Sequence, residues 1–543
     1  MAGLVSGVVS LADRVLIWRP GIDVLYKASS PGAILDSSEH YDHRCFPGTR
    51  EQYITDITNW VTESVNAPSS VYWMRGPAGV GKSAIAQTCA EKLKRTGHLG
   101  AAFFFTFNKY NDPLRLFTTI AYQLTTILPD YRDIVNDRIT VDKSLVEKKL
   151  STQFESLIVE PLQELEKQGK EVKAKVIFID GLDECVDEDA QADIIEVIAS
   201  SVRTTSTPFR WAIFSRAEPR IVSTFKQDGI CCITHSVELS ISREADREIE
   251  MYLRGEFKHL LQQRDCPELL SKWPTDDDIK KLVDAAAGLF AHSAAVLRFV
   301  AYPLDWQFRD RLQSVLDVSL ELGKQSSASP LPQLDSLYFH IMNQIPENVL
   351  PSVQLFLCYA VLASCDWNGS DHFFVTSFCC GVGCSESTFR DICHHLHAVV
   401  VHQAFPTPLS SIDPRIDLTR SFDDQGDWFH PDISFCDSLY GVHGLLGFYH
   451  KSFHDFLNDP VRSGPFCVTT PAIYWKKFFN HLIQQHRHSA SSYVIEDLSE
   501  SYPPVRFPTY LGFQNLYWRL MSSASLSRSL GHTGPSLLTH FSS

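Results

Sequence analysis

Apolar and polar positions along the chain fall into two regimes. Between residues 71 and 239, five short apolar runs alternate with longer stretches whose apolar positions recur every three or four residues. The runs are 71–74 (Val-Tyr-Trp-Met), 101–107 (Ala-Ala-Phe-Phe-Phe-Thr-Phe), 175–179, 209–216 and 237–239. The largely apolar character of the earlier runs, rather than strict alternation, predicts strands covered on both faces of a parallel sheet, and 237–239 (Val-Glu-Leu) reads as a short last strand. The intervening stretches predict helices. Leu116, Ile120, Leu124 and Leu128 share one face, and Leu145, Leu150, Phe154, Leu157 and Leu162 share another within a helix over 145–170. Just upstream, Ile54, Ile57, Trp60 and Val61 recur at helical spacing after a turn at 45–50. Strand and helix in alternation give a doubly wound α/β domain over 46–240.

Beyond residue 240 the runs give way to helical periodicity alone. Ser242 opens a helix carrying Tyr252, Leu253 and Phe257. Thr275 to Asp278 cap the next, over 279–287, which Gly288-Leu289-Phe290 interrupts before 291–303 continue it. Residues 241–324 therefore read as a helical domain. Gln325-Ser326-Ser327-Ala328-Ser329-Pro330 reads as a linker. A further domain over 325–465 holds a helix face of Leu334, Leu337, Ile341 and Ile345, an apolar helix over 353–363, and a long Pro, Asp and Ser-rich loop over 405–440. Residues 1–45, with Leu4, Val8, Val9, Leu11, Val15 and Leu16 able to line a helix, read as a leader; 466–543 hold aromatic helical pieces.

Chemistry concentrates where strands end. Gly76-Pro77-Ala78-Gly79-Val80-Gly81-Lys82-Ser83 follows the first run and opens a helix, in the pattern GxxxxGKS. Its glycines let successive N–H groups face inward as an anion cradle, and the helix start adds its positive dipole end. Lys82 suits the β- and γ-phosphates, and the Ser83 hydroxyl suits Mg²⁺. The third run ends in Asp180-Gly181-Leu182-Asp183-Glu184. Ligands bind outside the carboxyl ends of parallel strands, which places Asp180 opposite Ser83 as a Mg²⁺ carboxylate. Asp183 or, in preference, Glu184 is placed to orient or deprotonate an attacking water. Arg216, at the end of the fourth run, is placed to meet a γ-phosphate; the plainer alternative is a surface arginine paired with Glu218. The 45–50 turn is either a contact to the nucleotide base or a connector.

Composition narrows the class. Of 543 residues, Lys+Arg number 49 and Asp+Glu 64, a net charge of −15, which argues against a broad nucleic-acid surface. Fourteen scattered cysteines suit a reducing, cytoplasmic setting. Cys379, Cys380, Cys384, Cys393 and His394, His395 and His397 lack paired-cysteine zinc spacing. No apolar run reaches the roughly 18 residues that span a bilayer; the best, 285–301, contains His292 and Arg298.

The pairing of GPAGVGKS with VIFIDGLDE resembles the NACHT family of STAND-class P-loop NTPases, and FPGTRE, FFFTF, IAYQL, AAAGLF and HKSFHDFL resemble its fungal, NLR-like set. The resemblance implies a winged-helix fold for 325–465, after the all-α helical domain. It implies a signal-transduction switch that binds ATP or ADP with Mg²⁺, hydrolyses ATP slowly, self-associates in the ATP state and answers to an unknown protein ligand. It further implies that Asp183, Glu184 and Arg216 serve hydrolysis and that His450 holds the β-phosphate at rest. A hydrogen-bonded structural histidine is the alternative for His450. A continuously cycling ATPase motor and a non-hydrolysing nucleotide-binding scaffold are the alternative functions.

Overall fold

The computed structural model describes residues 19–37, 44–62, 69–107, 110–270, 272–302, 307–323, 330–363, 384–404 and 444–468. The expected leader helix before residue 19, the loop over 405–440 and the pieces beyond 468 lie outside the described residues. The chain divides into two compact units, Met1–Ile241 and Ser242–Ser543.

The first unit is built on five parallel strands: β1 (Val71–Arg75), β2 (Leu99–Phe104), β3 (Lys175–Asp180), β4 (Phe209–Ser215) and β5 (Thr234–Glu238), in the spatial order β2-β3-β4-β1-β5. The pleat sends alternate side chains to opposite faces. Trp73, Phe103, Ile177, Ile179, Trp211 and Ile213 join one cluster with Leu116, Phe117, Ile120 and Leu124 of the helix Leu114–Ile127. The intervening Tyr72, Met74, Phe104, Phe178 and Phe214 are equally buried, and so are Ile85, Ala86, Cys89, Ala90 and Leu93 of the helix Lys82–Arg95, which packs on β2, β3 and β4. Helices thus cover both faces, as the uniform apolar runs require, and each large side chain contributes on the order of 2 kcal/mol. With both faces closed, only the strand ends are left to meet a ligand.

Two local expectations change. The helix expected over 145–170 begins later: a separate 3-10 turn lies at Lys143–Glu147, and the helical run extends from Leu150 to Lys167 with a π turn at Glu155–Val159. Asp142 caps the 3-10 turn by accepting from the Ser144 N–H, so Leu145 belongs to it rather than to the helix. The Tyr131 hydroxyl donates to the Leu157 carbonyl within the π turn. A helix not expected from the sequence, Pro20–Ala28, lies on Pro129–Val141: Leu25 enters the core, the Gly21 N–H donates to Asn136 Oδ1, and Arg19 pairs with Asp133.

Among its described residues the second unit is helical, with one antiparallel strand pair, Val400–Ala404 with Gly444–Phe448. Ser242 does not open the helix Asp246–Gln263 directly; it caps a short 3-10 turn, Arg243–Ala245. Thr275 and Asp278 form a reciprocal capping box at the start of Asp276–Ala286. That helix ends in two consecutive left-handed residues, Ala287 at φ 48° and Gly288 at φ 87°. They turn the chain into the next helix, Phe290–Ala301. A Cβ on Gly288 would lie 2.4 Å from the Ser242 carbonyl oxygen, so only glycine fits both the dihedral and the contact.

Gly288→Ala is therefore expected to destabilise the second unit by about 1–3 kcal/mol, read as a lowered urea midpoint. An unchanged midpoint would contradict the close contact.

Candidate nucleotide site

Three neighbouring strands, β1, β4 and β3, end side by side, and the predicted site residues of the first unit emerge from those ends. The loop after β1 runs from Gly76 to Gly81, and the helix beginning at Lys82 continues it. Gly79 and Gly81 have φ of 82° and 99°, the left-handed region that the curled loop demands. The Gly76 N–H donates to the Ser215 carbonyl across the β1–β4 gap at 3.3 Å, which ties the loop to the strand that carries Arg216.

Lys82 folds back over its own loop. Its ammonium donates to the Gly76 carbonyl at 2.8 Å and the Pro77 carbonyl at 2.9 Å. Burial lowers its pKa from the ordinary lysine value, with Asp183 and Asp180 opposing that shift. An ammonium in this position is short of counter-charge, which a phosphate supplies.

Asp180 closes β3. It is 4% exposed, and burial raises its pKa from 3.8 to about 6 against the pull of a hydrogen bond from Ser83 and the charge of Lys82. Its Oδ1 is buried and has no hydrogen-bond partner. A buried carboxylate oxygen left over after Ser83 has been satisfied is a fitting donor for a hard divalent cation, and the Ser83 hydroxyl is a second. These residues fit Mg²⁺. Among the described residues no group of three or more His, Cys, Asp or Glu forms another metal cluster.

Asp183 and Glu184 take different partners. Asp183 Oδ1 accepts from the Arg216 N–H at 2.8 Å, and its other oxygen lies 3.3 Å from the Arg216 Nε. Arg216 is thus paired with Asp183, held on the adjacent strand end. Glu184 Oε2 accepts from the Phe107 N–H at 3.0 Å, which draws it toward the outlet of β2.

Sequence reasoning did not single out Arg50. It lies at φ 60°, a left-handed conformation that costs a non-glycine residue about 1 kcal/mol. It is 7% exposed, and its guanidinium donates to the Val80 carbonyl inside the phosphate loop at 2.8 Å. The signal was present only as a lone arginine in the 45–50 turn.

His450 belongs to the second unit. It caps the helix Lys451–Asn458 with its Nδ1, which accepts from the Ser452 N–H at 3.1 Å and lies 2.5 Å from the Ser452 hydroxyl. That hydroxyl in turn meets the buried Tyr338 hydroxyl at 2.7 Å. Accepting at Nδ1 places the ring proton on Nε2, so the capping bond sets the imidazole as a donor through its far nitrogen. On the neighbouring residue, the Arg298 guanidinium lies 4.3 Å from the Tyr449 ring and its Nε donates to the Ala398 carbonyl at 2.9 Å.

Residues 48–216 match the family model described as Nephrocystin 3, N-terminal, consistent with a P-loop NTPase of STAND/NACHT-like kind. No curated protein matches the chain. Among solved structures, Cdc6p from Pyrobaculum aerophilum aligns at 11% identity and TM-score 0.31, over 68% of this chain and 92% of that one. The Aeropyrum pernix Orc1 protein in complex with DNA aligns at 10% identity and TM-score 0.31, over 82% and 99%. The Drosophila ORC bound to DNA gives 11%, 0.31, 66% and 89%. Superpositions this loose carry no argument about function.

The raised pKa of Asp180 makes a stability test. The folded state holds this proton more tightly than the unfolded chain. Its contribution is therefore full below the ordinary value of 3.8 and is lost as pH rises through about 6. At neutral pH, Asp180→Asn should make the nucleotide-free protein more stable by about 1–3 kcal/mol, a gain that vanishes in acid. Urea unfolding against pH, with magnesium chelated, measures it; a variant no more stable than wild type at neutral pH contradicts the burial argument.

Proposed function

We propose that the chain is a nucleotide-dependent signalling switch. It binds ATP or ADP with Mg²⁺, hydrolyses ATP slowly, and changes its domain arrangement and self-association with the nucleotide it holds. The observation that carries this reading is the unpartnered, buried Asp180 oxygen beside Ser83, at the foot of a phosphate loop whose lysine is short of counter-charge.

In this reading the backbone amides of Gly76 to Ser83, with Pro77, Ala78 and Val80 setting the curve, take the phosphates. Lys82 exchanges its two carbonyl acceptors for phosphate oxygens. Ser83 and Asp180 hold Mg²⁺, which neutralises charge on the phosphate oxygens when bound. Glu184, fixed by the Phe107 N–H, orients the attacking water and takes its proton. Asp183 positions Arg216, whose guanidinium meets the γ-phosphate. His450 offers its Nε2 proton to the β-phosphate of ADP.

Around this site we read 46–240 as the NACHT domain, 241–324 as the helical domain, 325–465 as the winged-helix domain, and 1–45 and 466–543 as flanking segments. The helix Glu386–Leu396, the strand pair and the helix Lys451–Asn458 supply the parts of a winged helix. Among the described residues no helix is long and apolar enough to cross a membrane, and we place the protein in the cytoplasm. The net charge of −15 argues against nucleic acid, but two of the similar structures hold DNA, so that expectation gains no support from them.

The test is to purify the chain, identify the nucleotide it carries, and exchange ADP for ATP while its mass in solution is followed. Lys82→Ala should abolish binding; wild-type ATP affinity in that variant overturns the reading. Turnover should stay below roughly one per second, under the usual enzyme range; faster continuous turnover favours a motor instead. His450→Ala should speed ADP release and leave ATP affinity unchanged. Equal loss of both nucleotides would remove His450 from the resting state.

A further inference from the structure

Arg50 is a buried, charged side chain in a left-handed backbone conformation, and its guanidinium points into the phosphate loop. Three observations fix what it can do there. Its Nη2 donates to the Val80 carbonyl at 2.8 Å. Its carbonyl accepts from the Ile54 N–H at 3.1 Å, which begins the helix Glu51–Thr62 and anchors the residue in regular structure. Its Nε lies 3.9 Å from the place a Cβ on Gly81 would occupy, so the guanidinium lies alongside the Val80–Gly81 peptide. Across a trans peptide the carbonyl and the following N–H point in opposite directions. Holding the Val80 oxygen toward Arg50 therefore turns the Gly81 N–H away from it.

We infer that Arg50 is a positioning residue for the phosphate cradle. It sets the plane of the Val80–Gly81 peptide before any ligand arrives, so that this amide is already aimed as an anion donor. Glycine at 81 allows the φ of 99° but does not enforce it; the arginine supplies the enforcement that the glycine lacks. Preorganised donors bind an anion more tightly than donors that must first be turned. The left-handed backbone at Arg50 fits this account, because strain of that kind persists where the surroundings over-determine a conformation. The effect acts on the β-phosphate region and so falls on ADP and ATP alike. That last statement rests on the nucleotide-binding reading above; the orientation of the peptide does not.

Arg50→Gly removes the side chain and relieves the backbone, so folding is kept; Arg50→Lys restores one charged donor. Hydrogen exchange on the nucleotide-free full chain is the first measurement. In Arg50→Gly the amides of residues 79–83 should exchange at least about tenfold faster, while those of β3 stay at the wild-type rate. Nucleotide titration is the second. ADP and ATP should each weaken by about ten- to a hundredfold, the range for losing a charged hydrogen bond, with Arg50→Lys in between. The inference is overturned if loop exchange is unchanged in folded Arg50→Gly. It is equally overturned if exchange speeds up across all five strands, which marks a general stabilising role. Should the wild-type chain take up no nucleotide, the exchange data alone decide the role of Arg50, and the failure belongs to the switch reading.

Discussion

The first unit is governed by one electrostatic constraint: charged groups are held at the carboxyl edge of a sheet whose two faces are closed. Trp73, Trp211 and Phe178 exclude water from the layers below, so Lys82, Asp180, Asp183 and Arg216 meet one another in a medium that strengthens every charge interaction. The protein resolves this unevenly. Asp183 and Arg216 offset each other's charge through a backbone hydrogen bond and a 3.3 Å ion pair. Lys82 makes do with two carbonyls, and Asp180 keeps an oxygen with no partner. The shift of Asp180 to about 6 and the lowered pKa of Lys82 are two signs of the same deficit. What would remove it is a polyanion for the lysine and a cation for the carboxylate, bound together.

The backbone around this edge is built to hold that deficit open. Residues in left-handed conformations cluster there: Gly79, Gly81 and Gly181 in the loops, and Arg50 upstream. The end of β3 is further fastened to the exit of β2, where the Phe105 N–H donates to the Asp180 carbonyl at 2.9 Å and the Phe107 N–H reaches Glu184. The buried aromatic layers supply the stability that strain at these strand ends costs.

How much of this was legible follows from how local each feature is. The phosphate loop and Asp180 were readable because the backbone itself requires glycine at fixed offsets and because a carboxylate that ends an apolar run can only lie at a sheet edge. Four of the five strands were readable for the same reason, since a strand buried on both faces has to be apolar nearly throughout; the fifth, Thr234–Glu238, is polar and largely exposed, and the expected run 237–239 overlaps only its end. The helix Pro20–Ala28 was harder to read: it is only nine residues long, its apolar face of Ile22, Leu25 and Ala28 is brief, and part of its hold on Pro129–Val141 runs through Gly21 and Asn136. The π turn at Glu155–Val159 was hidden because its spacing still looks helical. Arg50 and the Asp183–Arg216 pair were hidden more deeply, each depending on residues some thirty positions away that only the folded sheet brings together.

The Asp183–Arg216 pair also bears on how a single phosphate could move domains. A ligand shifts an equilibrium only by its difference in affinity for the two states, and a swing from 1:99 to 99:1 needs about 5.5 kcal/mol. If the guanidinium were unengaged in the ADP state, a γ-phosphate would gain the whole of a charge-assisted bond locally and nothing need move. Because Asp183 already holds Arg216, the γ-phosphate in the proposed reading must compete with a carboxylate for it. The net gain is then a small difference between two charged contacts, and one strand end contributes only part of the required energy. The remainder has to come from contacts that change elsewhere. The imidazole of His450, set as a donor by Ser452 and Tyr338, is the kind of group that can exist in one state and be lost in the other. In the proposed reading, an arginine that is already paired therefore favours a switch in which no single contact decides the outcome, and in which the resting state is lost only when several weak preferences agree.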